Sequence, residues 1–245
     1  METCINKVNS PQVQSLRDLF LHENNFQFVH NKCHLYGWAD VYAFVIDNIT
    51  VGYGAVWGNT KREIKDSVFE FYIIKPYRKF INHLFAKLIE ASGAAFINCQ
   101  TNGILLSDLL YEYTENINAE AILFEDSFQT NLSMPHVSFE KNTAENNNPN
   151  DCAYILKLHD EIVATGGLML NYNLPYADVY YEVKESHRRK GFGSFIVQEL
   201  KKAAYIMHRV PAARCNIKNG ISKAALLKAG FTICGHIVSG TIIKT

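Results

Sequence analysis

One short run constrains this chain more than any other: Arg188-Arg189-Lys190-Gly191-Phe192-Gly193. Before it lies a strand-like segment, Ala177 to Val183. After it, from Ser194 to about Met207, Ile196, Val197, Leu200, Ala203 and Ala204 recur at helical spacing. Glycine lets a backbone turn sharply and come close to a ligand. A helix start offers N–H groups without intrahelical partners and the positive end of the helix dipole. Three adjacent cations add full charge. A strand, a basic glycine turn and a helix together suit a phosphate or diphosphate; the loop alone also reads as a solvated basic turn.

The downstream residues extend the pattern. Pro211 to Cys215 is short and partly apolar, like a strand, and is followed by Asn219, Ser222 and then Ala229-Gly230-Phe231. Strand, R-x-x-G-x-G loop, helix, strand, then N-x-x-S opening a helix that ends in Gly-Phe resembles the GNAT superfamily of N-acetyltransferases. Arg188, Gly191 and Gly193 fall on the first motif, and Asn219, Ser222, Gly230 and Phe231 on the second. The resemblance spans about Tyr176 to Ile237.

The resemblance implies an α/β (α+β) fold of mixed, mostly antiparallel sheets flanked by helices, with acetyl-CoA as co-substrate. It implies a coenzyme-binding set of Val183, Arg188, Arg189, Lys190, Gly191, Phe192, Gly193, Ser194, Asn219 and Ser222. The loop amides would hold the pyrophosphate. The strand before the loop would carry a bulge and splay from the strand Val210 to Asn216, leaving room for the pantetheine arm. The Val183 N–H would face the thioester oxygen. Asn219 also reads as an ordinary helix N-cap, and both readings stand.

Composition narrows the class. The chain has 245 residues, 48% of them apolar, which is enough for real cores in one large or two small domains. Its 24 basic and 24 acidic residues balance, so no general attraction to nucleic acid or to an anionic membrane follows. There is no 18-residue apolar run to span a membrane. Met1-Glu2-Thr3-Cys4 does not begin a signal-peptide core. The six cysteines (Cys4, Cys33, Cys99, Cys152, Cys215, Cys234) lack C-x-x-C spacing, which points to reduced thiols in a cytoplasmic protein and to no zinc site.

The chain repeats itself. Asn102-Gly103-Ile104 matches Asn219-Gly220-Ile221, and Leu109-Leu110 matches Leu226-Leu227, both at an offset of 117 (102 to 219, 109 to 226). Strand candidates (Val68 to Ile74, Ala95 to Cys99) and a helix candidate (Lys79 to Ser92) precede the first copy in the order found before the second. In the first copy Tyr77-Arg78-Lys79-Phe80-Ile81-Asn82 takes the place of the basic glycine loop, and both glycines are gone. We therefore expect a tandem pair: residues 1–140 a degenerate GNAT-like domain without a coenzyme loop, 141–151 a polar Asn/Pro linker, and 152–245 the domain that binds acetyl-CoA. Further candidates are a helix from Pro11 with Val13, Leu16, Leu19 and Phe20 on one face, strands at Asp40–Ile46, Thr50–Trp57, Ala119–Phe124 and Met134–Phe139, and a hairpin of Ala153–Leu158 with Ile162–Leu170.

Acetyl transfer to an amine needs a neutral nucleophile, a donor for the thioester oxygen and a proton for the departing thiolate. Asp178, Tyr180 and Glu182 alternate onto one face of the strand before the loop, and Asp178 and Glu182 are the candidate bases. Each also reads as an ordinary strand carboxylate. In many GNAT enzymes a tyrosine seven residues past the asparagine acts as acid; here Leu226 stands there. Water, or a tyrosine elsewhere such as Tyr180 or Tyr181, could substitute. The leading expectation is transfer of acetyl from acetyl-CoA to a primary amine of a small molecule or peptide by direct attack in a ternary complex. The alternative is an acyl-CoA-binding sensor without catalysis. Neither nucleic acid nor membrane is an expected partner.

Overall fold

The computed structural model describes residues 2–58, 61–142, 151–171 and 174–243. The chain divides into two compact units, one of Met1–Phe26, Lys32–Glu120 and His236–Thr245, the other of Gln27–Asn31 and Ala121–Gly235.

In the first unit, strand β1 (Thr3–Val8) leads through a short 3-10 turn, with Pro11 in its first positions, into helix α1 (Gln14–Glu23). Val13, Leu16 and Phe20 of the expected stripe are buried, while Leu19 is exposed, because the helix turns only a narrow face to the sheet. The short helix α2 (Asn31–Leu35) precedes β2 (Ala39–Ile46) and β3 (Ile49–Trp57), joined where Asp47 and Asn48 both take left-handed φ values of 46° and 66°. Asp and Asn accept that conformation better than most residues, which makes a tight hairpin here. Then come β4 (Ser67–Ile73), α3 (Ile81–Ser92), β5 (Phe96–Gln100), α4 (Ile104–Tyr113) and β6 (Thr114–Asp126).

The sheet runs β1-β2-β3-β4-β5, antiparallel except for β4 and β5, which are parallel. Leu84, Phe85 and Leu88 of α3 pack with Leu106, Leu109 and Leu110 of α4 against Phe44, Phe71 and Ile73. A buried polar knot sits in this unit. Glu70 accepts from Arg17 Nε at 3.1 Å and Nη2 at 3.0 Å, from the Tyr53 hydroxyl at 2.9 Å, and meets His34 Nε2 at 3.0 Å. Burial alone would push the Glu70 carboxyl up; Arg17 and His34 outweigh it and hold it well below the usual carboxylate range.

In the second unit β7 (Val137–Lys141), β8 (Asp151–Leu158), β9 (Glu161–Met169) and β10 (Tyr176–Val183) form an antiparallel run, followed by α5 (Phe192–Ile206), β11 (Val210–Asn216) and α6 (Gly220–Lys228). β11 runs parallel to β10, and Ala121 to Glu125 of β6 pair antiparallel with its other edge. Ile196, Val197, Leu200 and Ala204, the apolar stripe of α5, are fully buried against Phe124, Leu156, Val163 and Leu168. Lys201 is buried too. Its ammonium meets Asp126 Oδ1 at 2.7 Å and donates to the carbonyls of Phe128, Ala229 and Gly230. The last strand, β12 (Phe231–Ile242), begins in this unit, and its residues Ile237 to Thr241 pair antiparallel with β5 in the first.

The class is therefore the expected one, mixed and mostly antiparallel sheets flanked by helices. The units do not follow the expected bounds of 1–140 and 152–245. The division falls between Glu120 and Ala121, and the C-terminal residues from His236 belong to the first unit. Strand pairing is the reason: β6 and β12 are long strands whose second halves find their hydrogen-bond partners in the other unit's sheet. Most of the expected linker, 143–150, lies outside the described residues. Its flanks, Lys141 and Asp151, end β7 and begin β8, two strands that pair with each other.

Candidate active site

β10 and β11 pair only at their beginnings, Tyr176 with Val210, Ala177 with Pro211 and Asp178 with Ala212. Beyond Asp178 the parallel ladder stops. Toward β9, β10 stays paired from Asp178 through Val183 without a register shift. The expected splay is present, and the expected bulge in this strand is not. Side-chain alternation along β10 is consequently unbroken: Val179 packs with the core under α5, while Asp178 stands on the opposite face.

The ladder also orients the backbone. Lys184 N–H donates to Val163 at 3.0 Å, so alternation turns the Val183 N–H away from β9, toward the side where β11 has diverged. After Val183 the chain bends through a short 3-10 turn into the loop. Arg188 Nε donates back to the Val183 carbonyl at 3.2 Å. Arg189 and Gly191 are left-handed, with φ of 62° and 93°. Gly191 is the N-cap of α5, a residue type for which this conformation costs nothing. The amides of Phe192, Gly193 and Ser194 form the first turn of a 15-residue helix. They have no intrahelical acceptor and lie at the positive end of its dipole.

These parts enclose a cavity of about 500 Å³. Val183, Arg188, Arg189, Gly191, Gly193 and Ser194 line one side of it, and Asn219 and Ser222 another. Glu182 lines it as well. The loop contributes two cations and α6 a third, Lys228, against one carboxylate. That balance, with the bare first turn of α5, favours an anionic guest. A Cβ added at Gly193 would meet Tyr181 Cε2 at 3.4 Å and Ala225 Cβ at 3.5 Å, so glycine here keeps the cavity open between β10 and α6.

Not every expected residue reaches the cavity. Lys190 and Phe192 are not among its lining residues; Phe192 is buried in the core, leaving only its amide for a ligand. Asp178 is buried at the root of the splay, 3.6 Å from Arg214 Nε. The Arg214 guanidinium lies 4.0 Å over the ring of Phe28, from the segment Gln27–Asn31. Asn219 caps α6, its Oδ1 accepting the Ser222 N–H at 3.0 Å, and lines the cavity too, so the two readings of this residue are compatible. Leu226 is buried in the core.

Sequence reasoning passed over Ile221, Ala224, Ala225 and Lys228. They follow the Asn219 cap at the spacing of one helix face, which would have found them. Tyr181, a candidate substitute acid, lines the cavity as well. Its hydroxyl lies 3.1 Å from Ser222 Oγ, inside the cavity wall. Burial pushes the Tyr181 phenol up, more than the Ser222 hydrogen bond lowers it.

Residues 118–231 match the family model described as the acetyltransferase (GNAT) family. This segment is similar to the GNAT family. Its match covers the whole cavity, from the loop through the Asn219 cap. The structure resembles an acetyltransferase from the GNAT family from Colwellia psychrerythraea at a TM-score of 0.79 and 15% identity, covering 98% of this chain and 100% of that one. It also resembles a tandem GNAT protein from the clavulanic acid biosynthesis pathway, at a TM-score of 0.64 and 9% identity over 100% of both chains. At these identities the likeness establishes the fold. No curated protein sequence matches the chain.

Among the described residues no group of three His, Cys, Asp or Glu side chains could hold a metal ion, and no helix is long and apolar enough to cross a membrane.

Proposed function

We propose that the second unit binds acetyl-CoA and transfers its acetyl group to a primary amine of a small molecule or peptide, by direct attack while both substrates are bound. The observation that carries this reading is the unpaired first turn of α5 beside the splayed strands β10 and β11, within one cavity. The amides from Gly191 to Ser194 would hold the diphosphate, with Arg188, Arg189 and Lys190 supplying charge. The coenzyme supplies an acetyl thioester, and the diverging edge of β10 gives its arm a strand to pair with.

Glu182 is the base. It lines the cavity, whereas Asp178 is buried beside Arg214 and serves to position that arginine. An alkylammonium keeps its proton until about pH 10.4, so Glu182, directly or through water, must take it before attack. The Val183 N–H donates to the oxygen that becomes anionic as the carbonyl carbon turns tetrahedral. Asn219 and Ser222 hold the arm on its other side.

The first unit is, on this reading, a degenerate copy. Its β4 and β5 likewise pair only at Ser67–Phe96 and Val68–Ile97. Every residue of β4 is buried, so the room beyond that pairing is filled by side chains. Arg78 is ion-paired with Glu23, which also accepts from the Tyr72 hydroxyl at 2.7 Å. A copy whose arginine is neutralised from within offers a coenzyme less charge than Arg188 does.

Thiol release from acetyl-CoA, measured against a panel of amino acids, polyamines and lysine peptides, tests the proposal. Release stimulated by one amine class supports it. Tight coenzyme binding with no stimulated release would favour a sensor.

A further inference from the structure

We propose that Tyr181 of β10 is the catalytic acid that protonates the departing thiolate. This inference rests on the acetyl-transfer reading above. Three observations carry it. First, the residue seven beyond Asn219 is Leu226, whose side chain is fully in the core and carries no proton. Second, Tyr181 lines the cavity together with Val183, two residues along the same strand and therefore on the same side of the sheet. Third, its hydroxyl lies 3.1 Å from Ser222 Oγ on the first turn of α6. The phenol thus reaches from the strand side to α6, at whose buried position 226 there is no proton to give.

Either hydroxyl can donate in the Tyr181–Ser222 pair; in the catalytic arrangement Ser222 Oγ–H donates to the phenol oxygen, which leaves the phenol O–H for the sulfur and steadies the phenolate left after proton transfer. The phenol is protonated at neutral pH even at its ordinary value of about 10, and burial pushes it further up. The step then balances. The ammonium's first proton leaves through Glu182 to solvent; the neutral nitrogen then bonds to the carbonyl carbon, and its surplus proton passes to the freed Glu182 carboxylate. The carbon–sulfur bond breaks with its electron pair on sulfur. The Tyr181 proton passes to that sulfur, and the phenolate is refilled from Glu182 through cavity water. The products are an amide and free thiol, with both side chains restored.

The test compares wild type with Tyr181→Phe, which removes one oxygen and keeps the packed ring, using acetyl-CoA and whichever amine of the panel gives fastest thiol release. We expect kcat to fall about 100-fold, the lower end of what a general acid contributes, with the KM for acetyl-CoA within about twofold. Installing 3,5-difluorotyrosine at position 181, a more acidic phenol, should bring an alkaline limb of the kcat–pH profile to lower pH; phenylalanine should show no such limb. A purely structural tyrosine would move neither readout. Wild-type turnover with an unchanged kcat in Tyr181→Phe overturns this proposal and leaves the acetyl-transfer reading standing. A wild-type protein that binds acetyl-CoA and turns over no amine of the panel overturns both.

Discussion

Arg188 donates its Nε–H to the carbonyl of Val183 at 3.2 Å, and in the first unit Arg78 donates its Nε–H to Ile73 at 3.0 Å. Both pairs lie at one offset of 110 residues (78 to 188, 73 to 183). In each unit the arginine folds back onto the end of the strand that leads into the loop, fixing the turn. The difference lies in the rest of the guanidinium, which meets Glu23 in the first unit and borders the cavity in the second. Replacing Arg188 with Ala should loosen the turn and remove one charge. Calorimetry should show coenzyme A affinity falling about tenfold, or ~1.4 kcal/mol, with a shallower dependence on salt.

Gly191→Asp should act more strongly. Its φ of 93° strains any side chain, although the nearest atom to an added Cβ is Met134 Cε at 3.8 Å. The cost is conformational, about 1 kcal/mol, with a carboxylate added beside the amides that would receive phosphate. Far-ultraviolet circular dichroism should stay near wild type while coenzyme A titration shows at least a tenfold weaker complex.

The two strand carboxylates should separate by role. Glu182→Gln keeps shape and removes the base, so kcat should fall by about 10² to 10⁴ with the KM for acetyl-CoA nearly unchanged. Asp178→Asn removes the buried anion beside Arg214, and thermal unfolding should reveal it first as lost stability, by roughly 1–3 kcal/mol. Equal kinetic losses in both variants would remove the distinction.

Much of this site could be read from the residues. The loop, the helix it opens and the Asn219 cap are local features, governed by glycine, capping chemistry and apolar spacing within a few residues. The unit bounds were not legible, because they depend on which sheet claims the second half of β6 and of β12, a matter of pairing between residues as distant as Ile237 and Gln100. The expected bulge in β10 failed for the same reason: register belongs to the partner strand. The Lys201–Asp126 pair was hidden too, since a lysine within an apolar helical stripe gives no sign that a carboxylate 75 residues earlier (126 to 201) will meet it.

Glu70 gives the fold a pH signature. Its folded carboxyl is depressed below the unfolded value of about 4.3, so its contribution is fully present above that value and is lost as pH falls through the folded one. Acidification below about pH 5 should therefore destabilise wild type progressively. Glu70→Gln leaves Arg17 buried without its anion and should be less stable by about 3–5 kcal/mol at neutral pH, with a weaker loss on acidification. Denaturant melts at several pH values would measure both.

The most direct measurement is a crystal structure of the full chain with coenzyme A bound. The diphosphate should lie on the amides from Gly191 to Ser194, with the arm entering between β10 and β11 and one coenzyme per chain. A nucleotide lodged on Arg78 in the first unit, or any site that leaves the first turn of α5 empty, would contradict the assignment of this cavity.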